Sequence, residues 1–195
     1  MSNWLLALPA IAMLAVGLAQ PAFAKTDEPD YALVRAEGDI EIRDYPALMV
    51  AETVEQGDRR SVSNTAFRRL ASYIFESDRP EGEIEMTAPV LMTPESEGQT
   101  SMQFVMPDRF TLDALPDPQD PRVALSETPA RRVAAIQFSG WADDDDLVEK
   151  EAELRAWLSA QGLTAVGQAK WAFYNPPWTL GPWRRNEVLI EITAE

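Results

Sequence analysis

An order of apolar periodicities occurs twice along this chain and leaves few folds open to it. Around Gly38-Asp39, residues 31–35 and 40–45 read as a strand pair, with Ile40 and Ile42 alternating with the polar Glu41 and Arg43. Residues 47–54 continue as a third strand. Gly57-Asp58 breaks it and opens a helix over 59–76, where Val62, Ala66, Leu70 and Ile74 recur every fourth residue beside Phe67 and Ala71. That spacing makes one apolar stripe for a sheet to cover. A loop over 77–82 leads to short strands at 83–86, 90–93 and 101–106. Residues 107–121 hold Pro116, Pro118 and Pro121 and read as a long loop. The pattern then restarts. Residues 123–127 and 132–139 are strands, and Asp143–Asp146 precede a helix to about residue 160. Leu147, Leu154 and Leu158 share one face of it with Trp157 beside them, and Gly162 stops it. Residues 168–174 and 187–192 are the last strands, the second apolar enough for a central position. The order strand–strand–helix–strand–strand therefore spans about 31–106 and again 123–193. It predicts an α+β fold: a distorted β-barrel or curved antiparallel sheet of two pseudo-symmetric halves, each with one packed α-helix.

The segment before these repeats reads differently. Residues 1–24 carry no charged side chain, residues 4–18 are mostly apolar, and Pro21-Ala22-Phe23-Ala24 ends the run with small residues where a signal peptidase reads. This is the pattern of a secretory signal peptide, 1–24, cleaved after Ala24. The competing reading is an uncleaved anchor, which would be the chain's one tie to a membrane. Pro9 and Gly17 interrupt it, and it is short for a span. Cleavage leaves 171 residues, a polar leader over 25–30 and one domain over 31–193, expected in the periplasm or secreted. A chain of that length buries roughly two-thirds of its unfolded surface.

What the chain lacks excludes more than what it has. There is no Cys and no His among the 195 residues. A disulfide framework, a thiol nucleophile, a Cys/His zinc site, a Ser-His-Asp triad, a His-ligated haem and a lipobox are all ruled out. The 17 Lys and Arg against 32 Asp and Glu give a net charge of −15, which argues against nucleic acid as a partner. The run Asp143–Asp146 lacks the spacing of a calcium loop and reads as a helix N-terminus. Glu83 and Glu85 flank Ile84 on one face of a strand, and nothing marks them as a buried acid–base pair, so the chain is not expected to be an enzyme. Arginines come in pairs: Arg59-Arg60, Arg68-Arg69, Arg131-Arg132 and Arg184-Arg185. Each pair could hold an anion, or an Asp or Glu of the chain itself. Trp171, Phe173, Tyr174, Trp178 and Trp183 crowd the last third. The stiff Tyr174-Asn175-Pro176-Pro177-Trp178 turn carries two of them, either to wall an apolar pocket or to cover one end of the fold.

Several of these segments together resemble one family. Tyr31-x-Leu33-Val34 with Ile40–Tyr45, and Phe67–Ile74, resemble the first strands and first helix of the SOUL haem-binding family. Glu83-Ile84-Glu85-Met86-Thr87-Ala88-Pro89-Val90 is similar to its K-I-x-M-T-x-P-V signature. Tyr174-Asn175-Pro176-Pro177 with Arg184–Val188 is similar to its C-terminal signature. The resemblance implies a two-repeat barrel that binds haem or another tetrapyrrole without catalysis. It places the ligand along the first helix, at Asn64, Phe67, Arg68, Ala71 and Ser72, with Trp178 and Thr179 from the C-terminal loop. No His axial ligand is possible here. Apolar walls, an Arg at the propionates and iron unligated or held by Met or Tyr are the expectation, with Met86 in the core. The alternative is a binding module for another apolar ligand or for a protein partner, haem binding having been lost.

Overall fold

A computed structural model describes residues 26–76 and 82–193. The expected signal peptide therefore lies outside the described residues. Nine strands form one antiparallel sheet: β1 (Ala32–Glu37), β2 (Ile40–Tyr45), β3 (Leu48–Gln56), β4 (Val90–Pro94), β5 (Gln99–Val105), β6 (Ala124–Thr128), β7 (Arg131–Phe138), β8 (Ala165–Phe173) and β9 (Asn186–Ile192). The helices α1 (Arg59–Ile74) and α2 (Asp144–Ala160) follow β3 and β7. The spatial order is β1-β2-β7-β9-β8-β4-β5-β3-β6. Outward from the β8–β4 junction it runs β4-β5-β3-β6 one way and β8-β9-β7-β2 the other. Apart from β1, the two repeats are thus related strand for strand, but each gives one strand to the other: β2 pairs with β7, and β6 pairs with β3.

The sheet is curved and open, with β1 and β6 as free edges, so the barrel expectation is corrected. The edge strands lie at opposite ends of the order and have no partner in each other. A second correction concerns residues 83–86, which form no strand. Ile84 still points inward and is 2% exposed, but its backbone N–H donates to the Ile74 carbonyl at the end of α1 (2.8 Å). The alternation is real, yet the segment caps a helix instead of extending the sheet. The polar leader is also placed: Ala88 N–H donates to Asp27 O (2.8 Å), and Asp27 bridges Thr87 in parallel.

Both helices pack on one face of the sheet. Helix α1 buries Val62, Ala66, Leu70, Tyr73 and Ile74 against Ala51, Met92, Met102 and Phe104. Its start is set by Asp58, whose carboxylate accepts from Ser61 N–H (2.9 Å). Gly57 precedes it at φ +133°, where a Cβ would stand 2.7 Å from Ser61 Oγ. Helix α2 buries Leu147, Leu154 and Leu158 against Ile42, Ala134, Trp171 and Ile190. It ends in a Schellman motif, with Leu163 N–H bonded to Leu158 O (2.9 Å) and Gly162 at φ +73°. The Asp143–Asp146 run is its N-terminus. Asp143 Oδ1 accepts from Asp146 N–H (3.0 Å), and Asp146 Oδ2 accepts from Asp143 N–H (3.2 Å), a reciprocal capping box. Among the described residues, no group of three His, Cys, Asp or Glu is placed to hold a metal. Asp143→Ala should cost about 1 kcal/mol, read as a lower urea midpoint at unchanged m-value.

The other face carries no helix. Leu48, Val50, Leu91, Val105, Val133 and Ala172 form its apolar floor.

Candidate functional site

Three sites of chemical interest emerge, and the first is the exposed face of α1. Asn64, Phe67, Arg68, Ala71 and Ser72 are spaced i, i+3, i+4, i+7 and i+8, so they form one stripe turned away from the sheet. Phe67 remains 38% exposed and sets its edge on Phe104, with ring centroids 5.4 Å apart at 63°. Arg68 donates only to Asn64 O one turn back (3.1 Å), and Ser72 Oγ donates to Arg68 O (2.8 Å). The loop residues expected beside this stripe lie in the turn after β8. Trp178 is 73% exposed and Thr179 is buried, with Thr179 N–H bonded to Pro176 O (3.0 Å). Among the described residues, no hydrogen bond or ring contact joins the helix stripe to Trp178 or Thr179. Of the loop aromatics, Trp178 and Trp183 are 73% and 72% exposed, and Trp141, in the loop before α2, is 63% exposed.

Most of the paired arginines are claimed by carboxylates. Arg59 reaches Asp144 at 2.6 Å, and Arg60 reaches it at 3.2 Å, tying the starts of the two helices together. Arg69 is held by Glu55 and Asp120, Arg132 by Asp44, and Arg185 by Glu28 and Glu187. Among the described residues, Arg68, Arg131 and Arg184 have no carboxylate within ion-pair distance. Among the described residues, Arg68 is thus the one arginine of α1 without a carboxylate partner, Arg59, Arg60 and Arg69 each having one. The sulfur ligands are not presented there either: Met92, Met102 and Met106 are each 3% exposed beneath α1, and Met86 packs partly buried in the same core. Tyr73 is spent on Pro116 O (3.0 Å).

The second site is a buried polar cluster at one end of the helix-free face, which sequence reading missed. Glu187 is fully buried. Its carboxylate takes Arg43 Nη1 at 2.7 Å and Nη2 at 3.0 Å, Arg185 Nη2 at 2.9 Å, and the Tyr174 hydroxyl at 2.8 Å. Burial alone would raise the Glu187 carboxyl, but hydrogen bonding and charge from Arg43, then Arg185, hold it below the ordinary range. Burial and the same carboxylate push the Tyr174 hydroxyl far up. Every strong donor and acceptor here is matched, which marks a structural network.

The third site is a cleft of about 330 Å³ on the helix-free face. Leu48, Leu91, Val105, Val133 and Leu189 line its floor, and Arg131, Lys170, Glu52, Glu95 and Glu191 stand around it. A wider, more polar hollow of about 700 Å³ lies beside the leader, between Asp27–Tyr31 and Val105–Arg109. None of the seven residues expected from sequence lines either space. Glu83 and Glu85 are both exposed, and Glu85 pairs with Arg109 at 2.5 Å, so they form no acid–base pair.

Fold and sites together define a two-repeat α+β domain with an aromatic helix face on one side of its sheet and a charged cleft on the other. The model of the family described as SOUL heme-binding protein matches residues 26–191, and the chain belongs to that family. It is 31% identical over 161 residues to Heme-binding protein 2 of Homo sapiens, covering 78% of each chain. Among solved structures it is similar to the EcmrR C-terminal domain, with TM-score 0.60, 11% identity, and coverage of 80% of this chain and 98% of that one. It is also similar to a hydrolase from Listeria innocua, with TM-score 0.56, 14% identity, and coverage of 82% and 94%. At these identities the two structures speak for the fold alone.

Proposed function

We propose that this protein binds haem or a related tetrapyrrole reversibly and without catalysis, on the outer face of α1. The observation that carries this reading is the half-exposed Phe67 with Ala71 one turn on and the unpaired Arg68 guanidinium beside them. An aromatic edge and a small residue offer a flat macrocycle an apolar seat. A free guanidinium suits a propionate, which it can meet with paired N–H donors. The absence of His and Cys, and the burial of the nearby methionines, leave the iron without a protein ligand in this reading. Membership in a family named for haem binding supports the ligand class. Residues 1–24 would direct the chain to the periplasm or beyond before they are removed.

The test is a titration of the domain from Lys25 to Glu195 with haemin and, in parallel, protoporphyrin IX. Saturable binding of both, with a Soret shift that is not that of bis-His haem, is the expected result. Haemin binding alone would replace the unligated iron with a Met or Tyr ligand. If neither binds, the exposed Trp141, Trp178 and Trp183 favour a site for another apolar ligand or a protein partner. Arg68→Gln should weaken protoporphyrin IX about tenfold and leave its dimethyl ester unaffected, because only the free acid has propionates to lose.

A further inference from the structure

We propose that the cleft on the helix-free face is a second binding site, for a small amphiphile with one carboxylate, whose apolar body lies on the aliphatic floor and whose head meets Arg131 and Lys170. The cleft is set apart from the α1 face by the sheet itself. Residues on β3, β4, β5, β7, β8 and β9 alternate, and the cleft takes the set that points away from both helices: Leu48, Leu91, Val105, Val133, Lys170 and Leu189.

The polar wall has a surplus of donors. Lys170 has three N–H donors, and one is used, on Gln103 Oε1 at 2.8 Å. Arg131 has five, and its single hydrogen bond is a long one to Pro129 O (3.4 Å). Among the described residues, neither cation has a carboxylate within ion-pair distance, although the chain carries a net charge of −15. The carboxylates around the cleft are partly satisfied from elsewhere. Glu52 accepts from Gln103 Nε2 at 2.8 Å, Glu95 accepts from the Ser101 hydroxyl at 3.2 Å, and Glu191 interacts with both cations only at longer range. Burial, and for Lys170 the neighbouring Arg131 charge, weaken both cations' hold on their protons. A ligand oxyanion between them would relieve that cost. The volume suits one small molecule.

Calorimetric titration of the full domain with dodecanoate, and separately with dodecylammonium, tests this. Dodecanoate should bind at one per chain, and dodecylammonium at least tenfold more weakly. Arg131→Gln and Lys170→Gln should each weaken dodecanoate about tenfold while leaving the unfolding midpoint near that of the parent. Phe67→Asp should leave dodecanoate binding unchanged, and saturating haemin should not displace it, which keeps this site distinguishable from the one on α1. Three results would overturn the proposal: tighter binding of dodecylammonium, indifference to both cleft substitutions, or loss of dodecanoate on Phe67→Asp.

Discussion

Glu187→Gln should lower the unfolding free energy by about 3 kcal/mol at pH 7, at the lower end of what breaking a buried ion pair costs. Arg43 is 2% exposed and Glu187 fully buried, so the substitution removes a charge that water cannot replace. The loss is held to the lower end because each guanidinium keeps one other carboxylate. Arg43 retains Glu41 at 2.7 Å, and Arg185 retains Glu28 at 2.8 Å. For a domain of this size that corresponds to a fall in Tm of about 10 °C. The effect has a pH signature. The folded-state carboxyl is held below its ordinary value of 4.5, so its stabilisation is complete above that value and disappears as pH falls through the lower folded value. Urea midpoints of parent and variant should therefore differ widely at pH 7, begin to converge as pH falls below 4.5, and meet only below the folded-state value. A variant as stable as the parent at pH 7 would show that the cluster contributes little beyond its own desolvation.

The same cluster shows where sequence reading stopped. Glu187 and Tyr174 both lie in segments that stood out as motifs. Glu187's partner Arg43 is 144 residues away, in a strand whose sequence signal was alternation and a family resemblance, neither of which names a partner. Periodicity reports which face a side chain takes, and it is silent on which strand lies beside it. For the same reason the two repeats were legible from sequence while the exchange of β2 and β6 between them was not. Both exchanged strands join edges of the opposite repeat, a choice made by tertiary packing.

The helices were legible because each has one job. Val62, Ala66, Leu70 and Ile74 are all buried along one stripe, in one core with sheet residues Ala51, Met92, Met102 and Phe104. Strands with two buried faces gave a weaker signal. In β3, Val50 lies on the cleft side and Ala51 under α1, so the apolar run shows no alternation and hides the second face. Lys170 and Gln103 were the available clue to the cleft, polar residues set between apolar neighbours, Ala169 and Trp171 for one and Met102 and Phe104 for the other. Residues 83–86 mislead in the opposite direction. Their alternation places Ile84 correctly, but the ladder partner that would make a strand is replaced by the end of α1.

Phe67→Asp should weaken haemin binding at least a hundredfold and leave the fold in place. The position is 38% exposed, so the parent loses only the edge contact with Phe104 and the small difference in helix preference between the two residues. The ligand loses more. Removing an aromatic side chain from an apolar contact costs about 2 kcal/mol. A new carboxylate beside the propionates adds repulsion in the place where Arg68 offers attraction. Together these exceed the roughly 3 kcal/mol that separates two decades in Kd. Phe67→Leu, which keeps an apolar surface without the ring, should fall between parent and Asp variant. That ordering distinguishes a macrocycle seated on this face from one bound at the exposed tryptophans, where position 67 has no influence. Equal haemin affinity in all three proteins, with circular dichroism unchanged, would remove the ligand from α1.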